Sequence, residues 1–432
     1  MQTILVIGYV WPEPNSSAAG TRMIQLLEFF LCEGYNVTFA TTASETIHIA
    51  DLKILGIKTV KIQLNNSSFD EFIQSLQPEI VVFDRFLMEE QYGWRVSNIC
   101  PAAIKILDTE DLHFLRNFRE SAFKNKNLDV SLLKESELAK REIASIFRCD
   151  LSLIISESEM ELLDKQFKIP QNLLLYLPFL LNPITNYMSS KLPGFGERQH
   201  FISIGNFRHP PNVDAVLYMK KEIWPIITKQ MPKAQMHIYG AYSTAQITQL
   251  HSPKENFLIK GWAKNAPEVV KNAKISLAPL RFGAGLKGKL IEAMECGTPT
   301  VTTNIGAEGM HGDLCWNGSI KNTPEEIAKA AVSLYTSEIK WKVAQQNGFN
   351  IINSRYSKSD FQKILHYRIK LLREELKLHR QNNFIGAMLM HHRSKSTYYL
   401  SKYIEIKNEL EHLKNQSSFG ISPQTLLPYD KG

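Results

Sequence analysis

The stretch Ala278–Gly309, APLRFGAGLKGKLIEAMECGTPTVTTNIGAEG, brings a strand end, a glycine loop, a helix start and an acidic residue together in one short segment. Ile275–Ala278 reads as a buried strand that Pro279 stops. Gly283, Gly285 and Gly288 then let a backbone approach a ligand closely and take positive φ angles. Lys287 and Lys289 carry two cations to the start of an apolar helix, Leu290–Cys296, whose free N–H groups already favour an anion. A diphosphate suits that place. Glu292 lies one turn into the helix, where a carboxylate can accept hydrogen bonds from ribose hydroxyls, as acidic residues do in dinucleotide folds. Gly297 and Pro299 end the helix, and Thr300–Thr303 is the next strand.

On these residues, GAGLKGKLIEAMECGTPTVTT resembles the donor-site signature of the retaining, nucleotide-sugar-dependent glycosyltransferases of family 4 (glycosyl transferases group 1). That family's pattern is a Glu, seven residues, then a Glu followed by Ala-Met-x-x-Gly-x-Pro. Glu292, Ala293, Met294, Gly297 and Pro299 match its second half, whereas Ala284 stands where the first Glu would be. The resemblance therefore implies that backbone amides around Gly283, Ala284, Gly285 and Leu286 orient the donor sugar. It also implies an α/β GT-B fold, two doubly wound Rossmann-like domains facing a central cleft, and transfer that needs no metal cofactor. No D-x-D motif or H-x-x-x-H pair argues otherwise, and His391 and His392 are neighbours that would point apart on a helix.

Outward from that segment, strands and helices alternate twice. Strands are expected at Ile4–Tyr9, Tyr35–Thr41, Thr59–Leu64, Ile80–Asp84, Ala103–Asp108, Leu151–Ser156 and Leu173–Leu177. A second set follows at Phe201–Gly205, Met236–Tyr239, Phe257–Lys260, Ile275–Ala278 and Thr300–Thr303. Such alternation predicts parallel sheets covered on both faces. The division expected is an acceptor-side domain over 1–180, a Pro/Gly-rich linker over 181–198, a nucleotide-sugar domain over 199–356, a crossover helix over 357–375 and a basic helical extension over 376–432. A chain of 432 residues is long enough for two cores.

Further candidate residues lie on loops that follow strands. In PEPNSSAAGTRMIQLL, Ser16–Gly20 is read as offering free amides at a helix start, with Gly20 near the donor and Arg22 adding charge. In ILDTEDLHFLR, Asp108, Glu110, Asp111, His113 and Arg116 concentrate titratable groups. The resemblance implies that His113 lies beside the sugar; a capping reading has Asp108 or Thr109 as N-cap with Glu110 and Asp111 on the dipole. Ser156 and Glu159 read as a capping box. After Gly205, relatives carry an Arg and a Lys that neutralise the diphosphate; here Asn206 follows, and Arg208 and His209 are displaced. Trp262 is either a nucleobase contact or a core tryptophan, and Glu308 either touches sugar or acceptor or stabilises a turn.

Composition limits the classes. With 44% hydrophobic and 22% charged residues the chain is ordinary for a globular protein. Five scattered cysteines without a C-x-x-C pair give neither a disulfide framework nor a zinc site, and the N-terminal MQTILVIGYVWPEP lacks a basic leader, so a cytoplasmic protein is expected. Between Lys358 and Lys414 there are 12 Lys plus Arg and 6 Asp plus Glu, against a net charge of +7 for the whole chain. That tail is a candidate for peripheral contact with an anionic inner membrane surface, where lipid-linked acceptors would be presented. Tyr399, Tyr403, Ile406, Leu410 and Leu413 recur at four-three spacing, a seam that could dock on the chain's own body or pair two protomers as a homodimer. The expected partners are a nucleotide-sugar donor and a glycan, lipid-linked or protein acceptor. Alternatives are a noncatalytic nucleotide-sugar scaffold or sensor and a nucleotide-sugar epimerase of the same fold. Nucleic-acid binding ranks last, because the basic residues lack interleaved stacking motifs.

Overall fold

The computed structural model describes residues 2–126 and 130–418. The first sheet comprises β1 (Thr3–Gly8), β2 (Asn36–Thr41), β3 (Lys58–Lys61), β4 (Ile80–Asp84), β5 (Ile104–Asp108), β6 (Leu151–Ile154) and β7 (Leu174–Tyr176). The second comprises β8 (Gln199–Ile204), β9 (Met236–Tyr239), β10 (Phe257–Gly261), β11 (Ala273–Ala278), β12 (Thr300–Thr302) and β13 (Gly318–Ile320). Their pairings are parallel, in the orders β3-β2-β1-β4-β5-β6-β7 and β10-β9-β8-β11-β12-β13. Continuous apolar runs such as those of β1 and β4 are buried because helices cover both faces of each sheet. This is the two-domain α/β arrangement expected, with a helical C-terminal extension. β13 was not expected: three half-buried residues at a sheet edge, led by a glycine, carry no apolar run.

Each strand order reverses direction once, between β1 and β4 and between β8 and β11. In doubly wound sheets, ligands bind outside the carboxyl ends of the strands flanking that reversal. For the second sheet those ends release the segments Gly205–His209 and Pro279–Lys287; for the first, Tyr9–Ser17 and Arg85.

After β13 the chain passes through two helices and returns to the first domain. The crossover helix Lys358–Asn382 is longer than the 357–375 expected. Leu365, Ile369 and Leu372 join the first domain's core, and near its end Arg380 bonds Asp150 and the carbonyls of Pro101 and Ala103. The tail helix Phe384–Ser418 then lies along the first domain. Asn383 Nδ2 donates to Phe147 O at 2.7 Å, Arg95 reaches Ser401 Oγ at 3.0 Å, and the Ser67 amide donates to Glu405 at 2.7 Å. Residues 419–432 of the expected extension lie outside the described residues. Docking uses Ser401 and Glu405, so the Tyr399–Leu413 seam faces away from the body. No helix among the described residues is long and apolar enough to cross a membrane.

Candidate active site

Lys287 is the N-cap of the helix Gly288–Glu295. The Gly283 (φ 142°) and Gly285 (φ 63°) backbones take conformations that L side chains rarely adopt, and a Cβ on Gly285 would stand 2.7 Å from Asp111 Cβ of the other domain. The loop is therefore glycine-rich because the first domain's loop presses on it. Lys287 is buried, with its Nζ 2.7 Å from Gly285 O, so it braces its own loop. Lys289 reaches the end of β8: its Nζ donates to Asn212 Oδ1 at 2.7 Å and would lie 3.3 Å from a Cβ on Gly205. Burial pulls both ammonium groups down to about 8, with Glu308 partly opposing that at Lys287. Two cations thus meet where the second sheet reverses, beside a helix N-terminus.

Glu292 is half-buried and its side chain has no hydrogen bond or ion pair among the described residues; burial, with a contribution from Glu295, pushes it up to about 7. It is a free carboxyl one turn from the lysines. Ala284 packs against the first domain's core and Leu286 is buried at the junction. The Gly285 amide, expected to face a sugar, instead donates to Glu159 Oε1 at 2.8 Å, and the Gly283 carbonyl accepts from Arg119 at 2.9 Å. Part of the loop's polar backbone is therefore occupied by the opposite domain.

The first domain contributes the helix His113–Asn125, and its start corrects the capping expectation. Glu142 accepts from the His113 and Phe114 amides at 3.2 and 2.9 Å, and Glu159 accepts from the Leu112 amide at 3.1 Å. Asp108 instead holds the buried Arg22 at 2.8 Å, so Arg22 is a structural ion pair and not a charge offered to a ligand. Asp111 pairs with Arg116 at 2.8 Å. The His113 Nε2 is buried with no hydrogen-bond partner, 3.5 Å from an Asp111 oxygen. Burial drives the imidazole down to about 3, only partly opposed by Asp111, so His113 is neutral near pH 7 and does not suit either protonation state as its ordinary value would suggest. The charges of His209 and Arg116 add to that depression, which puts the loop after β8 opposite His113 across the cleft.

Other expectations are corrected. Gly20 has no free amide: its N–H donates to Ser17 Oγ at 3.0 Å, and a Cβ there would meet Glu13 backbone at 2.4 Å. The Ser16 and Ser17 amides likewise donate to Glu13 O, so of Ser16–Gly20 only the Ala18 and Ala19 amides at the helix start are left without a hydrogen bond among the described residues. Ser156 and Glu159 form no capping box; Ser156 Oγ bonds Ser158 Oγ at 2.7 Å. Trp262 lies against His48 with ring centroids 4.6 Å apart and donates to Asn15 O at 3.3 Å, so it joins the two domains at the rim and is not a core residue. Arg208 is exposed, its guanidinium 3.5 Å from the Tyr242 ring centroid, while Tyr242 OH bonds Glu13 at 2.8 Å. Glu308 is held by Arg119 in a two-pronged pair at 2.6 and 2.8 Å; burial would raise it, but the Arg119 bonds and charge and the nearby Lys287 keep it below the ordinary range. Among the described residues no group of three or more His, Cys, Asp or Glu side chains is arranged to hold a metal ion.

Sequence reasoning read Glu159 only as part of a cap and gave no site role to Arg119, Asn212 or Glu142. Glu159 is fully buried, joins the amides of both domains through one oxygen, and is pushed up to about 7 by burial and by Asp111. Because its folded value exceeds the ordinary 4.5, the folded state keeps a proton that the unfolded chain releases. Its contribution to stability is therefore full below about 4.5 and lost as pH rises through about 7. Scanning calorimetry should show the melting temperature falling across that window, and Glu159→Gln should flatten the fall.

The family model described as Glycosyl transferases group 1 matches residues 198–337, which contain β8–β13 and the glycine–lysine loop. The chain has the GT-B fold, and the family match is confined to its second domain. An uncharacterized 44.6 kDa protein of the cps region of Klebsiella pneumoniae is 22% identical over 408 residues, covering 84% of this chain and 99% of the relative. Among solved structures, Staphylococcus aureus TarM in complex with Fondaparinux, alpha-GlcNAc-glycerol and UDP superposes with a TM-score of 0.65 at 12% identity, over 85% of this chain and 99% of that one. Anabaena HepE in complex with UDP and glucose gives 0.57 at 13% identity, over 86% and 100%. Sucrose-phosphate synthase of Thermosynechococcus elongatus gives 0.61 at 14%, over 86% and 99%.

Proposed function

We propose that this chain is a glycosyltransferase that moves a sugar from a nucleoside-diphosphate carrier to a glycan, lipid-linked or protein acceptor with retention of configuration. The observation that carries the reading is the pair of cations, the buried Lys287 and the half-buried Lys289, beside the helix N-terminus at the reversal of the second sheet, with the neutral His113 on the opposing domain. In it, Lys289 and Lys287 stabilise the departing diphosphate, Glu292 accepts the ribose hydroxyls, and His113 offers a neutral imidazole to the sugar or acceptor. The bond from the anomeric carbon to the phosphate oxygen breaks, a bond to the acceptor oxygen forms on the same face, and the acceptor's proton passes to the leaving phosphate oxygen. The UDP complexes of TarM and HepE make uridine diphosphate the first carrier to test. Incubation with nucleotide sugars and a panel of acceptors, read by nucleotide release and by NMR of the product anomer, tests the reading. Net inversion would remove the retaining part, and turnover to an altered nucleotide sugar without acceptor would favour an epimerase.

Donor affinity should follow a bell-shaped pH dependence. Glu292 accepts hydroxyls best when ionised, so affinity falls below about 7; the lysines hold a diphosphate only when charged, so it falls above about 8. A nucleotide sugar is the appropriate ligand for this titration, since its diphosphate is esterified at both ends. Flat affinity across both limbs would argue against these groups as ligands.

A further inference from the structure

We propose that the outward face of the tail helix, formed by Tyr399, Tyr403, Ile406, Leu410 and Leu413, pairs with the same face of a second copy of this chain in an antiparallel helix pair. These side chains are 52% to 70% exposed, and Leu400 beside them is 59% exposed. Their four-three spacing puts them in one stripe along a helix, on the positions a coiled coil uses for its seam. Together the six expose on the order of 700 Å² per copy, more than the largest apolar patch of a typical monomer and close to the ~800 Å² per partner of a stable interface. The helix is fixed from behind by Ser401 and Glu405, so the stripe is presented on a backed surface.

Charge selects the occupant. The basic excess of the C-terminal region belongs to its earlier part, for Tyr398–Lys414 holds Lys402, Lys407 and Lys414 against Glu405, Glu409 and Glu411. A stretch with balanced charge has little electrostatic attraction to an anionic membrane. The same charges suit self-pairing. With Tyr403 and Leu410 at one seam position and Tyr399, Ile406 and Leu413 at the other, Lys402 and Glu409 flank the seam on one side and Lys407 and Lys414 on the other. Antiparallel helices set like flanks against each other, so Lys402 of each copy meets Glu409 of the other across a two-fold axis. Parallel helices would instead set Lys402 against Lys407 and Glu409 against Lys414, one like pair and one opposite pair where the antiparallel arrangement makes two opposite pairs. Among the described residues Glu409 has no ion-pair partner in its own chain, while Lys402, paired with Glu405 at 2.7 Å, would be shared between that residue and the second copy's Glu409.

Sedimentation velocity of the full chain over a wide concentration range tests this, with Leu410→Glu and Glu409→Lys as variants. The wild type should sediment as a dimer. Leu410→Glu should weaken association at least ~10-fold, and Glu409→Lys should weaken it in a salt-dependent way. Both variants should keep the far-ultraviolet circular dichroism of the wild type, because the altered side chains are exposed in the single chain. A wild type that stays monomeric overturns the proposal, and flotation of that monomer with phosphatidylserine vesicles, lost in Leu410→Glu, would assign the face to a membrane. A dimer indifferent to both variants also overturns it.

Discussion

Lys289→Ala should lower sugar transfer by about 10²- to 10³-fold without lowering the melting temperature. Lys289 is half-buried, its ammonium has one neutral partner, Asn212, and desolvation alone holds it at about 8 instead of 10.5. A group depressed in this way is less favourable charged in the folded state than in the unfolded one. Stability therefore rises as pH moves from about 8 towards 10.5, and below 8 the charge is carried at a cost. Among the described residues only the hydrogen bond to Asn212 offsets that cost, so the alanine variant should be about as stable as the wild type. Activity and stability would then move independently, which a structural lysine would not produce. Steady-state kinetics together with thermal unfolding of the variant checks this. A variant that loses activity only in proportion to lost folded protein would put Lys289 in the scaffold.

His113→Ala should lower kcat by about 10²-fold while leaving the dissociation constant of the nucleoside diphosphate unchanged. The imidazole belongs to the first domain, whereas the lysines and Glu292 lie on the second, so the effect should fall on sugar and acceptor positioning. With the ring held down to about 3, the kcat profile should lack an imidazole limb near its ordinary 6.5. Single-turnover rates and nucleotide binding measured in parallel separate the two effects. A kcat limb near 6.5 that vanishes in His113→Ala would mean that the histidine works as an acid or base and not as a neutral hydrogen-bonding group.

The nucleotide side of the cleft was legible in the sequence because its parts are contiguous. Gly283, Gly285, Lys287, Lys289 and Glu292 fall within ten residues, and the strand before them and helix after them follow from local apolar pattern and glycine–proline stops. The cleft's closure was not legible. Glu159 with Gly285, Arg119 with Glu308 and Glu13 with Tyr242 join residues more than a hundred positions apart, and no local periodicity reports such pairs. Glu159 was misread because Ser-x-x-Glu has an adequate local explanation, a capping box, that the interdomain contact displaced. Gly20 was misread for a related reason. A small residue at a helix start suits a phosphate, but it suits a tight turn over Glu13 equally well. In the tail, spacing revealed a stripe, while the face that docks mixes the polar Ser401 and Glu405 with Leu389 and Tyr398 and so carries no continuous apolar signal.

Isothermal titration of the full chain with UDP, GDP, ADP and their sugar conjugates, repeated with Lys289→Ala and Glu292→Ala, tests the donor site most directly. Saturable micromolar binding of one nucleotide, lost in Lys289→Ala and weakened in Glu292→Ala, is the predicted result. Absence of binding by the folded wild type, or equal binding by wild type and Lys289→Ala, would contradict the assignment of the glycine–lysine loop to the diphosphate.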